Sequence, residues 1–119
     1  MIITNHLKVI RLTAFEKEKV FLIRSYILSH PHEPLGSPGL AFMEGISVYK
    51  LEAGFVLLYE QTVQQFIKVQ RMEKAKELLL QTNEPVKAIA AHCGYKSDTS
   101  FHRAFKKYSC YTPDDFRKL

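Results

Sequence analysis

One pattern is written twice in this chain, and it restricts the fold more than anything else in the sequence. Leu40-Ala41, three residues and Gly45-Ile46 is matched by Ile89-Ala90, three residues and Gly94-Tyr95, at an offset of 94 − 45 = 49. Past the turn, Leu51 and Phe55 match Phe101 and Phe105 at an offset of 50, so one residue is inserted between the second turn and its helix. Alanine suits a place where two helix axes approach closely, and glycine takes the positive φ of a tight bend. Each copy predicts a short helix, a bend and a second helix packed across it, the helix-turn-helix arrangement. Ile89, Ala90, Phe101, Phe105, Leu40, Leu51 and Phe55 are expected in the core, because a stripe of this kind on a helix is usually packing.

Capping signals set the remaining boundaries. Thr13-Ala14-Phe15-Glu16 is a capping box, and Val20, Ile23 and Ile27 follow at helical spacing. That helix should stop near Ser29, where prolines at 31, 34 and 38 and glycines at 36 and 39 begin. Ser37-Pro38 predicts an N-cap with proline in the first helical position. Ser47 and Ser97 are expected caps for the two helices that follow the bends. Thr62-Val63-Gln64-Gln65 is a second capping box and opens a long helix to about Gln81. Asn83-Glu84-Pro85 marks a new start, and a short last helix is expected from Asp114 to Leu119. The only strand candidate is Ile2 to Ile10. The fold class is all-α, with about seven helices: a tail or linker remnant over 1–14, a first helix-turn-helix subdomain over 15–61, a linker helix over 62–82, and a second subdomain over 83–119.

The charge balance bears on the partner. Seventeen Lys and Arg against twelve Asp and Glu give a formal net charge of +5 and a pI near 9.3. That favours a polyanionic partner such as nucleic acid or an anionic membrane surface. Cys93 and Cys110 form no CxxC pair, no apolar run reaches the length of a membrane span, and no signal-peptide order opens the chain. A cytoplasmic protein without membrane contact is expected. His30-Pro31-His32-Glu33 has the composition of a metal cluster but lies in a proline-rich loop with no further ligand pair. No phosphate loop, nucleophile elbow or paired carboxylates are present, so neither an enzyme nor a cofactor is expected. A linker helix of about 20 residues spans about 30 Å, close to the ~34 Å repeat of the major groove. Two recognition helices so spaced would suit successive major grooves of one duplex.

The stretches LAFMEGISVYKLEAGF, RMEKAKELLLQTNEPVKAIAAHCGYKSDTSFHRAFKKY and TPDDFR resemble the DNA-binding domain of the AraC/XylS family of bacterial transcription regulators. The resemblance covers roughly residues 15–119 and is most specific in the second half. It implies two helix-turn-helix units of homeodomain-like type joined by a long helix, binding promoter or operator duplex DNA. It allows RNA polymerase as a further partner, and the upstream sensor domain common in the family is expected to be absent from this chain. Two features depart from the family pattern. Ser109-Cys110-Tyr111 stands where a glycine usually precedes the closing Thr-Pro, and Glu52 stands where a basic residue often follows the leucine. From Pro38 to Glu60 the net charge is 1 − 3 = −2, whereas from Lys96 to Lys107 it is 4 − 1 = +3. The second unit should therefore anchor the DNA more strongly.

A recognition helix offers its N-terminal residues to base edges. In the second unit these are Ser97, Asp98, Thr99, His102 and Arg103. Arg103 suits bidentate pairing with guanine, and Thr99 a base or a thymine methyl. Asp98 suits cytosine or a helix cap, and His102 a base or phosphate, or plain exposure. Lys96, Lys106 and Lys107 are candidates for phosphate contact or for a solvated face. In the first unit Val48, Tyr49, Glu52 and Ala53 take the matching positions, with Lys50 nearby. Tyr49 suits a sugar, a base or half-buried packing, and Glu52 a cytosine or the repulsion of phosphates. The competing reading is a helical protein-interaction module that has lost DNA contact.

Overall fold

The computed structural model describes residues 2–5 and 8–119, with side chains from residue 11 onward. A short antiparallel ribbon, β1 (Ile2–Asn5) and β2 (Lys8–Arg11), pairs Ile3 with Ile10 and Thr4 with Val9. The strand expected over 2–10 is thus two strands, and residues 6 and 7 of that stretch lie outside the described ones. Seven helices follow among the described residues: α1 (Ala14–Ser29), α2 (Ser37–Glu44), α3 (Val48–Tyr59), α4 (Val63–Gln81), α5 (Val86–His92), α6 (Asp98–Ser109) and α7 (Pro113–Arg117). The body is all-α, as the sequence predicts. It divides into two compact units, one holding the chain to Ser29 with Leu35–Ile67, the other holding His30–Pro34 with Lys68–Leu119.

In the first unit the Thr13–Glu16 box forms: each backbone N–H is accepted by the other residue's side-chain oxygen at 3.0 Å. Ser37 does not cap α2. It is the first helical residue, Gly36 takes the cap position, and the Ser37 hydroxyl donates to Glu52. Gly45 ends α2 at φ 67°, and Ser47 caps α3 by accepting from the Lys50 N–H at 3.1 Å. Val20, Ile23, Ile27, Leu40, Ala41, Leu51, Phe55, Val63 and Phe66 form one buried cluster. Each large side chain there contributes about 1.5–3 kcal/mol.

The helix α4 begins in the first unit and ends in the second, opening with the Thr62–Gln65 box at 2.8 and 3.0 Å. In the second unit Arg71 donates from Nε to the Pro31 carbonyl at 2.8 Å and from Nη2 to the Glu33 carbonyl at 3.0 Å. Gly94 bends the chain at φ 87° between α5 and α6. The inserted residue of the second copy is Lys96, between Tyr95 and the cap Ser97. The last helix is Pro113–Arg117 rather than Asp114–Leu119, because the Thr112 hydroxyl accepts from the Asp115 N–H at 3.1 Å and so starts it one residue earlier. Met72, Ala75, Leu79, Ile89, Ala90, Cys93, Phe101 and Phe105 form the second core. Burial there pushes the Cys93 thiol up to about 11.

Candidate nucleic-acid interface

Helix α6 is fixed on one side and open on the other. Phe101 and Phe105 are fully buried and stacked, with ring centroids 5.8 Å apart. The Tyr108 hydroxyl donates to Glu73 at 2.5 Å and fastens α6 to α4. Desolvation, with this bond second, pushes the Tyr108 hydroxyl up to about 12, and the same bond holds the Glu73 carboxyl below its ordinary value. Arg117 donates to the carbonyls of Leu79 at 3.2 Å and Thr82 at 3.4 Å, so α7 closes the end of α4.

The open side carries the expected residues. Thr99, Arg103 and then Lys106 or Lys107 recur three to four residues apart; all four are exposed, opposite Phe101 and Phe105. Ser97 is spent on the cap, accepting from the Ser100 N–H at 3.2 Å and lying 2.8 Å from the Ser100 hydroxyl. The cap proposed for Asp98 is thus made by Ser97. Asp98 stands exposed in the first turn, where a carboxylate suits the helix dipole. His102 is half-buried, and its Nδ1 lies 2.8 Å from the Asp98 carbonyl oxygen. A carbonyl only accepts, so Nδ1 carries the proton and Nε2 of the neutral ring is left as an acceptor. Lys96 is exposed in the turn ahead of the helix. Lys106 and Lys107 lie in the last turn, where cations also suit the dipole. Ser100 is an exposed first-turn hydroxyl that spacing rules did not single out, because its role follows from its bond to Ser97.

The matching helix of the first unit, α3, differs in kind. Val48 and Tyr49 are exposed, and Ala53 is half-buried. Its two charged residues are both engaged within the unit. Lys50 Nζ lies 2.5 Å from Glu16 Oε2, and that ammonium, with the Thr13 N–H, holds the Glu16 carboxyl below its ordinary range. Glu52 accepts from Ser37. Among the described residues no group of three His, Cys, Asp or Glu could hold a metal ion, and no helix is long and apolar enough to cross a membrane.

Comparison with known proteins points the same way. A family model described as a helix-turn-helix domain matches residues 40–119. The xylose operon regulatory protein of Escherichia coli (strain K12) is 32% identical over 94 residues, which are 79% of this chain and 24% of that protein. This chain therefore spans about a quarter of that relative's length. The C-terminal domain of AraT, a response regulator from Geobacillus stearothermophilus, superposes with a TM-score of 0.81 at 30% identity, over 92% of this chain and 88% of that one. The DNA-binding domain of AdpA, a global transcriptional factor solved with a target DNA, has the same fold, with a TM-score of 0.80 at 23% identity over 84% of this chain and 90% of that one.

Proposed function

The chain belongs to the AraC-type helix-turn-helix family, and on that premise we propose that it binds a specific double-stranded DNA sequence in bacterial transcription regulation. The outer face of α6 carries this assignment. Thr99, His102 and Arg103 face the base edges of a major groove, while Lys96, Lys106 and Lys107 contact phosphates. Arg103 pairs with guanine O6 and N7, and Thr99 with a base or a thymine methyl. Ser97 serves by fixing the first turn, and Asp98 tunes which base is accepted beside it. Val48, Tyr49, Lys50 and Glu52 belong to the corresponding helix of the first unit, which enters a groove of its own. RNA polymerase is the further partner of such a regulator, and the cytoplasm its place of action. The alternative, a helical protein-interaction module, is favoured by the acidic balance of the first unit, where Glu44, Glu52 and Glu60 stand against Lys50 alone from Pro38 to Glu60.

Selection of bound fragments from random duplex DNA, followed by a salt titration, tests the proposal. A binder making about 6–10 phosphate contacts loses about 10³–10⁵ in affinity between 50 and 200 mM salt. Arg103→Ala, at an exposed position, should cost about 1–3 kcal/mol on the selected sequence and relax one base preference while the fold survives. Failure to enrich any sequence, or an affinity indifferent to salt, would favour the interaction module.

A further inference from the structure

The two recognition helices share one plan and carry opposite chemistry. Ser47 and Ser97 cap them with the same bond, to the N–H groups of Lys50 and Ser100. Each is ended by a non-glycine residue at positive φ, Glu60 at 59° and Cys110 at 71°, and 110 − 60 = 50. In that register Tyr49 stands for Thr99, Glu52 for His102, Ala53 for Arg103 and Val56 for Lys106. Tyr49 and Val56 are 46% and 42% exposed, whereas Leu51 and Phe55 on the other side of α3 are fully buried. With Glu52 bonded to Ser37 and Lys50 paired with Glu16, α3 presents the ring of Tyr49, the methyl of Ala53 and the isopropyl group of Val56 at the places where α6 presents Thr99, Arg103 and Lys106.

Base edges in the major groove present one apolar group, the C5 methyl of thymine. We propose that α3 reads thymine methyl groups, with Tyr49, Ala53 and Val56 as its specificity-determining residues. The inference rests on the DNA-binding function proposed above. Contact with a methyl needs no charge, so the acidic balance of the first unit is no obstacle where Glu52 is turned to a hydroxyl of its own unit. The chain then divides the work. The second unit supplies affinity and hydrogen-bonded reading, and the first supplies discrimination by apolar fit.

The test uses the sequence enriched from random duplexes, with each thymine replaced in turn by deoxyuridine, which removes only the methyl. The tract read by α3, the one whose response does not depend on Thr99, should show affinity falling about fourfold for each methyl lost, the weight of one buried carbon. The double variant Tyr49→Ser, Val56→Ser, confirmed as folded by circular dichroism and thermal melting, should be indifferent to deoxyuridine in that tract. Arg103→Ala should remain sensitive to it. Intact selective binding with no deoxyuridine effect, or an effect that persists in the double variant, overturns the inference alone. If no sequence is enriched, this inference and the DNA-binding function both fall. Should sedimentation show a dimer that the double variant dissolves without changing DNA affinity, the face belongs to a second copy and the inference is wrong.

Discussion

Lys50 Nζ sits 2.5 Å from Glu16 Oε2, a contact across 34 residues that ties the first turn of α3 to the first turn of α1. An ammonium compensated in this way has little left to offer a phosphate. Lys50→Ala should therefore leave the slope of log Kobs against log salt unchanged, whereas Lys106→Ala and Lys107→Ala should each flatten it by about 0.9. The pair also has a pH signature. The folded Glu16 carboxyl titrates below its unfolded value, so its contribution to stability is present above that unfolded value and is lost as pH falls through the folded one. Urea midpoints at neutral and acid pH should lie closer together in Lys50→Ala than in the native chain.

Two turn glycines that look alike in sequence should tolerate alanine differently. Gly45 and Gly94 have φ of 67° and 87°, so each substitution meets the left-handed penalty of about 1–2 kcal/mol. A Cβ at Gly45 would meet Lys19 Nζ at 3.5 Å, the end of a flexible side chain. At Gly94 it would lie 2.9 Å from the His32 carbonyl oxygen and 3.1 Å from Arg71 Cζ. Chemical denaturation should show Gly94→Ala to be the more destabilised of the two, and equal losses would contradict this packing.

Ala90 is 2% exposed within the second core. Ala90→Leu adds three carbons to a buried position and should cost about 1–3 kcal/mol by overpacking, enough to unfold this unit if its margin is small. Thermal melting checks this, and an unchanged melt would mean that α5 and α6 are less closely packed than the structure has them.

Local rules made much of this fold legible. The boxes at Thr13–Glu16 and Thr62–Gln65 and the caps at Ser47 and Ser97 depend on residues three apart, and all four form. The core positions followed from helical spacing, and all seven named are buried. Partners distant in the chain escaped. Ser37 was expected to cap but is captured by Glu52, Lys50 by Glu16, and Arg71 by the carbonyls of Pro31 and Glu33. Neither Glu60 nor Cys110 is a glycine, so their left-handed backbone went unsignalled, although the resemblance drew notice to the missing glycine at Ser109-Cys110-Tyr111. In the candidate interface the sequence named the side chains on the outer face of α6, but not that the Asp98 carbonyl orients the His102 ring, which needs coordinates.

The Arg71 guanidinium has a consequence for how this architecture is inherited. By gripping the carbonyls of Pro31 and Glu33 it enrols a pentapeptide from between α1 and α2 into the later half, so the polypeptide alternates between its two bodies instead of finishing one before starting the other. A gene truncated to begin at Lys68 would leave that guanidinium without both acceptors. Scission anywhere from residue 30 to 67 likewise divides the components of at least one body, so that body needs chain from both sides of the cut.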